Sequence, residues 1–221
     1  MRASDPPAQR AGPVRPDRKG DGLNKGRVSK YGVAAVVDIE TTGLCVGTDE
    51  VIELALVLFR YDRRNGRIEE KMDAYSGLRE PNCPISHGAY EVHHISPGVV
   101  RGRRLNYSRI RAMLRKADFV VAHNAVFDRG FVERLIPSFR TKTWLCSMRG
   151  INWEAKGFVS RSLQSLAAAH QVKNLRPHRA GGDTDTLLAL LSYRRRYRRM
   201  RLYELLRNGG LIGKASKERD T

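Results

Sequence analysis

The sequence predicts an α/β protein on a mixed five-stranded sheet, a three-strand antiparallel meander followed by parallel strands, with helices flanking it. Two observations carry this. Dense apolar runs at residues 33–40 and 51–59, the second followed by an Asn65-Gly66 turn signal, read as consecutive strands and a hairpin. From Phe119 onward, short apolar runs alternate with helical patterns, the order that builds parallel strands.

The first strand ends in Val36-Val37-Asp38-Ile39-Glu40-Thr41-Thr42-Gly43-Leu44. Alternate side chains of a strand share a face, so Asp38 and Glu40 point together while Val37 and Ile39 enter a core. Residues 51–59 suit a central strand buried on both sides, and 67–75 the returning edge strand. A short helix and turn are expected over 84–95. Over 107–116 the spacing gives an amphipathic helix with Ile110, Met113 and Leu114 inward. The buried run 119–122 leads into His123-Asn124, then a helix with Phe131, Val132 and Leu135 that stops before Pro137. Residues 142–148 read as a further strand, and Ser160 to Gln164 as a capped helix start. After Asp183 comes a helix carrying Leu187, Leu188, Leu190 and Leu191, and 193–206 reads as an Arg-rich helix.

A chain of 221 residues suits one domain with tails. Residues 1–31 are rich in Pro, Gly, Arg and Lys and nearly devoid of apolar side chains, so a disordered basic arm is expected there. Asp5, Asp17, Asp21 and the prolines spoil a transit-peptide helix. The folded domain is expected over 32–207, with a flexible tail over 208–221. Lys and Arg outnumber Asp and Glu by 41 to 23, giving a net charge of +18 and favouring a polyanionic partner, nucleic acid first. Anionic lipid fits less well, because no stretch joins a broad apolar face to this charge. No apolar run is long enough to span a bilayer and no secretory signal is present, so a cytoplasmic, intracellular protein without a membrane partner is expected. Cys45, Cys83 and Cys146 show no spacing motif and are expected as reduced thiols.

Two acids side by side repel unless a cation lies between them, so Asp38 and Glu40 suit a hard divalent metal; the alternative is a strand with one polar face. Asp128 and Asp183 stand at helix starts, where a carboxylate either binds metal or simply complements the helix dipole. His178 lies five residues before Asp183.

The segments Asp38-Ile39-Glu40-Thr41-Thr42-Gly43, His123-Asn124-Ala125-x-Phe127-Asp128 and His178-x-Ala180-x-x-Asp183 resemble the three exonuclease motifs of the DEDDh family. That family includes the proofreading subunit of bacterial replicative DNA polymerase, ribonuclease T and oligoribonuclease, and the resemblance spans residues 33–195. It implies a ribonuclease-H-like fold and metal-dependent removal of nucleoside 5′-monophosphates from the 3′ ends of single-stranded DNA, in proofreading or repair. It also implies that Asp38, Glu40, Asp128 and Asp183 hold two Mg²⁺ or Mn²⁺ ions and that His178 is the general base. Thr41, Thr42 and Leu44 match positions that contact the terminal nucleotide. Asn124 and Phe127 match the second motif, where the amide anchors substrate or strand and the aromatic packs.

Gly181 and Gly182 are expected to make the His178 loop flexible. His93 resembles a recurrent His of the family, but His94 stands where glycine is usual, and both are placed outside the site. Trp144 and Trp153 either stack bases or pack in the core. Arg194, Arg195, Arg198 and Arg199 either contact the nucleic-acid backbone or form a solvated helix face. Single-stranded DNA or RNA 3′ ends are the implied substrates. A polymerase partner or a homodimer, both found in the family, stays open, as do an exoribonuclease that trims RNA and a non-catalytic nucleic-acid-binding module.

Overall fold

The computed structural model describes residues 29–174, 176–193 and 200–208, together with the backbone of 211–212. In chain order the elements are β1 (Tyr31–Thr41), β2 (Val51–Asp62), β3 (Ile68–Leu78), α1 (His87–His93), α2 (Pro97–Val100), α3 (Tyr107–Lys116), β4 (Phe119–Ala122), α4 (Ala125–Leu135), β5 (Thr143–Cys146), α5 (Ser147–Gly150), α6 (Leu163–Ala169), α7 (Ala180–Ser192), α8 (Arg201–Arg207) and β6 (Leu211–Ile212). The sheet order is β3-β2-β1-β4-β5-β6. The meander β1-β2-β3 is antiparallel, β1, β4 and β5 run parallel, and β6 returns antiparallel. This is the expected five-stranded mixed sheet with a two-residue strand added at one edge. That strand falls within the segment read as a flexible tail.

Period-two alternation divides the core between the two faces of the sheet. Ala35, Val37 and Ile39 of β1 face α3 and α4, where they meet Ile110, Met113, Phe131 and Val132. Ala34 and Val36 face α7, where they meet Leu187, Leu190 and Leu191. β2 is buried along nearly its whole length. Both tryptophans pack, with Trp144 in the first core and Trp153 in the second, so neither side chain is available for stacking on a base.

Two expectations differ from the structure. The expected strand over 142–148 shortens to Thr143–Cys146, because the buried Ser147 turns inward and its hydroxyl meets His123 Nδ1 at 2.9 Å. The expected helix over 193–206 is broken. α7 stops at Ser192, Tyr193 is extended (φ −65°, ψ 132°), and α8 begins at Arg201. One helix from Ala180 to Leu206 would run about 40 Å. The break instead lets Leu202 and Leu205 fold back into the same core as Leu190. Arg194, Arg195, Arg198 and Arg199, residues 1–28 of the basic arm and residues 213–221 lie outside the described residues.

Packing sets a clear order of mutational cost. Trp144→Ala, which empties a fully buried site, is expected to cost ~3–5 kcal/mol in urea unfolding. Leu44→Ala, at a position 84% exposed, is expected to stay within ~0.5 kcal/mol.

Candidate active site

The face of β1 that carries Ala34 and Val36 continues into Asp38 and Glu40, which therefore emerge at the strand's end on the α7 side. A register shift follows Glu40, which pairs with Glu53, whereas Thr41 pairs with Val51. Such a bulge bends the strand where its acids end. Asp183, in the first turn of α7, comes down onto the same face. One ligand oxygen from each of Asp38, Glu40 and Asp183 lies within 4.8 Å of the others. Asp128 arrives from the opposite face, in the first turn of α4, and its buried carboxylate accepts the Ile39 N–H.

Crowding these acids out of water is costly. Asp38 is pushed well above the usual carboxylate range, first by burial and then by the charges of Asp128 and Glu40. Glu40 rises to about 8, from burial and then from Asp183, Glu53 and Asp128, with Arg179 working in the opposite direction. Burial lifts Asp128 to about 7 against the backbone N–H groups that hold it. A donor set made only of carboxylate oxygens, in mutual repulsion, fits hard divalent cations such as Mg²⁺ or Mn²⁺.

The approach to Asp183 is tightly built. Oδ1 accepts the amides of Asn174 (2.6 Å) and Gln164 (3.0 Å), and Oδ2 accepts the His178 backbone N–H (3.1 Å). His178 is left-handed (φ 57°), its side chain is exposed, and it lies outside the group of three close carboxylates. The next residue, Arg179, clamps buried Glu53 through Nε (3.0 Å) and Nη2 (2.9 Å), and Glu53 also accepts the Ala180 N–H (3.1 Å). The His178 backbone is thus tied to Asp183 on one side and to β2 on the other. Gly181 and Gly182, expected as a flexible loop, lie in the first turn of α7. A Cβ on Gly182 would sit 2.2 Å from the Arg176 carbonyl oxygen, so this glycine serves close backbone packing.

Beside Glu40 lies a largely apolar groove of about 390 Å³ lined by Leu44, Ala89, Val92, His93 and Phe127. Leu44 projects from a fixed turn in which Asp49 accepts from Thr42 Oγ1 and the Cys45 N–H, and Arg134 binds the carbonyls of Gly47 and Asp49. Phe127 is half-buried, packing on Phe131 with ring centroids 4.9 Å apart while still facing the groove. Asn124 is exposed at the head of α4 and its side chain makes no capping hydrogen bond.

Thr41 also lines this groove, and the hydroxyls of Thr41 and Thr42 are both engaged within the protein. Thr41 Oγ1 donates to the Gly43 carbonyl (2.6 Å), and the fully buried Thr42 hydroxyl bridges Asp49 and the Glu50 N–H, so both hydroxyls build the turn. His93, placed outside the site from sequence, is buried in the groove wall, with Nδ1 accepting the Ile95 N–H and Nε2 facing the Thr41 carbonyl. His94 is the left-handed C-cap of α1 (φ 55°), which explains a usual preference for glycine there.

Sequence reasoning missed Glu53, Arg179, Gln164 and Asn174. Glu53 carried a signal, being one acid inside an apolar run. Asn174 carried none, since only folding brings it to Asp183.

A mixed sheet in this order, with four acids gathered at the end of its first strand, defines a ribonuclease-H-like nuclease domain. The RNase T exonuclease family model matches residues 35–191, and the chain belongs to this family of 3′→5′ exonucleases. It is 29% identical over 162 residues to the PolC-type DNA polymerase III of Thermotoga petrophila, covering 67% of this chain and 11% of that protein. To the Listeria welshimeri PolC-type enzyme it is 35% identical over 103 residues, covering 44% and 6%. The chain thus spans about a tenth or less of these relatives. Among solved structures, exonuclease X in complex with 5′ overhanging duplex DNA matches with a TM-score of 0.55 at 25% identity, covering 72% of this chain and 89% of that one. Exonuclease I matches with a TM-score of 0.59 at 19% identity, covering 80% and 44%.

The raised carboxyls give the fold a defined pH response. Their folded-state values lie above those of the unfolded chain, so the folded state binds more protons and loses stability as pH rises from about 4.5 towards 8. In chelator, Tm is expected to fall by on the order of 5 °C across that window, with Mg²⁺ or Mn²⁺ restoring it at pH 8. Glu40→Gln should raise Tm in chelator and remove most of the metal increment, both read by differential scanning calorimetry.

Proposed function

We propose that the chain is a metal-dependent 3′→5′ exonuclease acting on single-stranded DNA ends. The observation that carries this reading is the carboxylate cluster at the mouth of an apolar groove with an exposed leucine at its rim. Support also comes from exonuclease I structures in complex with dT13 and dA16 oligonucleotides and from the exonuclease X complex. The domain is proposed to extend over 32–207, with the basic segments 1–31 and 194–199 adding charge for a polyphosphate partner. A polymerase partner, as the PolC relatives suggest, belongs to the same proposal.

Asp38, Glu40, Asp128 and Asp183 would hold two divalent ions, whose chemistry is Lewis-acid stabilisation of charge on the attacking and leaving oxygens. The terminal base lies in the groove against Leu44 and Phe127, and Asn124 meets the strand at the head of α4. His178 accepts a proton from water as the water oxygen attacks phosphorus. The bond from phosphorus to the preceding nucleotide's 3′ oxygen breaks, and that oxygen leaves as a new 3′-hydroxyl after taking a proton from solvent. A nucleoside 5′-monophosphate is released. Arg179 and Glu53 hold the backbone that presents His178, and Gln164 and Asn174 aim Asp183.

Incubation of 3′- and 5′-labelled DNA and RNA oligomers with Mg²⁺ or Mn²⁺ tests the reading. Shortening from the 3′ end of DNA is expected. Faster shortening of RNA would reassign the substrate, and intact oligomers that still shift in a gel would leave only a binding module. Asp38→Ala and Asp183→Ala should each lower kcat by at least about 10³-fold with binding retained. Glu53→Gln should lower kcat by about 10–100-fold with KM little changed, since it frees the turn that carries His178 without touching the groove.

A further inference from the structure

A second groove, of about 420 Å³, opens between the chain leaving β3 and the loop that joins α2 to α3. Its walls include Arg79, Glu80, Asn82, Arg103, Arg104 and Tyr107. Some of these polar groups are already committed. Arg79 Nη1 donates to Glu50 (2.6 Å) and to the Val51 carbonyl (3.2 Å), and the Asn82 amide also reaches Glu50 (3.2 Å). Glu80 holds the loop, since its carboxylate accepts the Gly102 N–H (2.7 Å) and its own N–H donates to the Arg103 carbonyl (2.9 Å).

The arginines of that loop are different. Arg101, Arg103 and Arg104 are exposed, and among the described residues none has a carboxylate within salt-bridge distance. The same holds for Arg111, Arg115 and Lys116 on the outer side of α3. A fixed loop that concentrates unneutralised guanidinium groups beside a groove complements a string of phosphates, which guanidinium binds in bidentate fashion.

The groove also lies at the right end of the sheet. It shares Arg79 with a neighbouring cavity lined by Gly47, Thr48, Glu50 and Arg134 together with Phe131 and Leu135, which follows the turn that begins at Leu44. The Arg loop starts directly after Val100, which packs with Ile52 and Ile95 beside α1, the wall of the apolar groove. Arg79, which lines both cavities, thus joins the Arg103 and Arg104 groove to the turn that begins at Leu44.

We propose that this groove binds the phosphodiester backbone of the substrate strand upstream of its 3′ nucleotide, with Arg103 and Arg104 pairing with successive phosphates. The proposal rests on the exonuclease reading for which end of the strand lies at the carboxylates. Binding alone tests the surface independently of cleavage. The full chain and its Arg103→Gln/Arg104→Gln form would be titrated with 5′-fluorescein oligothymidylates of two to twelve nucleotides, with Ca²⁺ in place of Mg²⁺, over a range of salt. Wild-type affinity should rise with length and then level off. The double variant should lose about tenfold or more for the dodecamer, and its salt slope should shrink by about 1.4, about 0.7 for each single-strand phosphate contact removed. The ratio of kcat/KM for dodecamer over dinucleotide should fall in parallel. Equal affinity and equal salt slope for the two proteins at every length would overturn the proposal. So would a loss of equal size for the dinucleotide and the dodecamer, which would place the arginines at the 3′ nucleotide rather than upstream of it. Oligomers bound but not cut by wild type would overturn the exonuclease reading while leaving the surface assignment to the binding data.

Discussion

Electrostatic repulsion at the end of β1 is the constraint on which the rest of the structure depends. Asp38, Glu40, Asp128 and Asp183 come from three separate stretches of chain and approach from both faces of the sheet. Left to themselves they would part or take up protons. They stay because β1 lies between β2 and β4 inside two hydrophobic cores, and because α4 and α7 are each packed against it. Apolar burial thus holds in place a cluster that opposes folding, a common relation between stability and a prepared site.

Around this cluster the polar groups are graded. Asp183 receives two side-chain amides and a backbone N–H, whereas Asp38 and Glu40 are left facing their like-charged neighbours. Asp183 is therefore the fixed reference point, and the β1 pair supplies unspent negative charge. Arg179 moderates that charge only from a distance, because Glu53 already holds two of its nitrogens. The left-handed His178 persists because hydrogen bonds on either side over-determine its backbone.

Much of this was legible in the chain. Alternation in the first apolar runs gave the meander, and Asn65-Gly66 gave its hairpin, because both are local signals. Ile110, Met113 and Leu114 are inward, as their helical spacing predicts, for the same reason. The acids were legible as motif members, although their placement on two faces of the sheet was not. What the chain hid is long-range or depends on context. No Gly or Pro marks the end of α7 at Ser192, and nothing local in the chain shows that the Thr42 hydroxyl turns inward to Asp49. In the sequence Gly182 suggests freedom, while its use in the fold is its lack of volume.

The clamp between Glu53 and Arg179 joins positions 126 residues apart, and Asp183 lies farther still along the chain from Asp38. Contacts of such sequence separation close late in folding, after the local hairpin and helices. A chain still emerging from the ribosome has its first two acids long before α7 exists to complete the set. The three close carboxylates are therefore brought together only when the late helix α7 docks and carries Asp183 to the strand that holds Asp38 and Glu40.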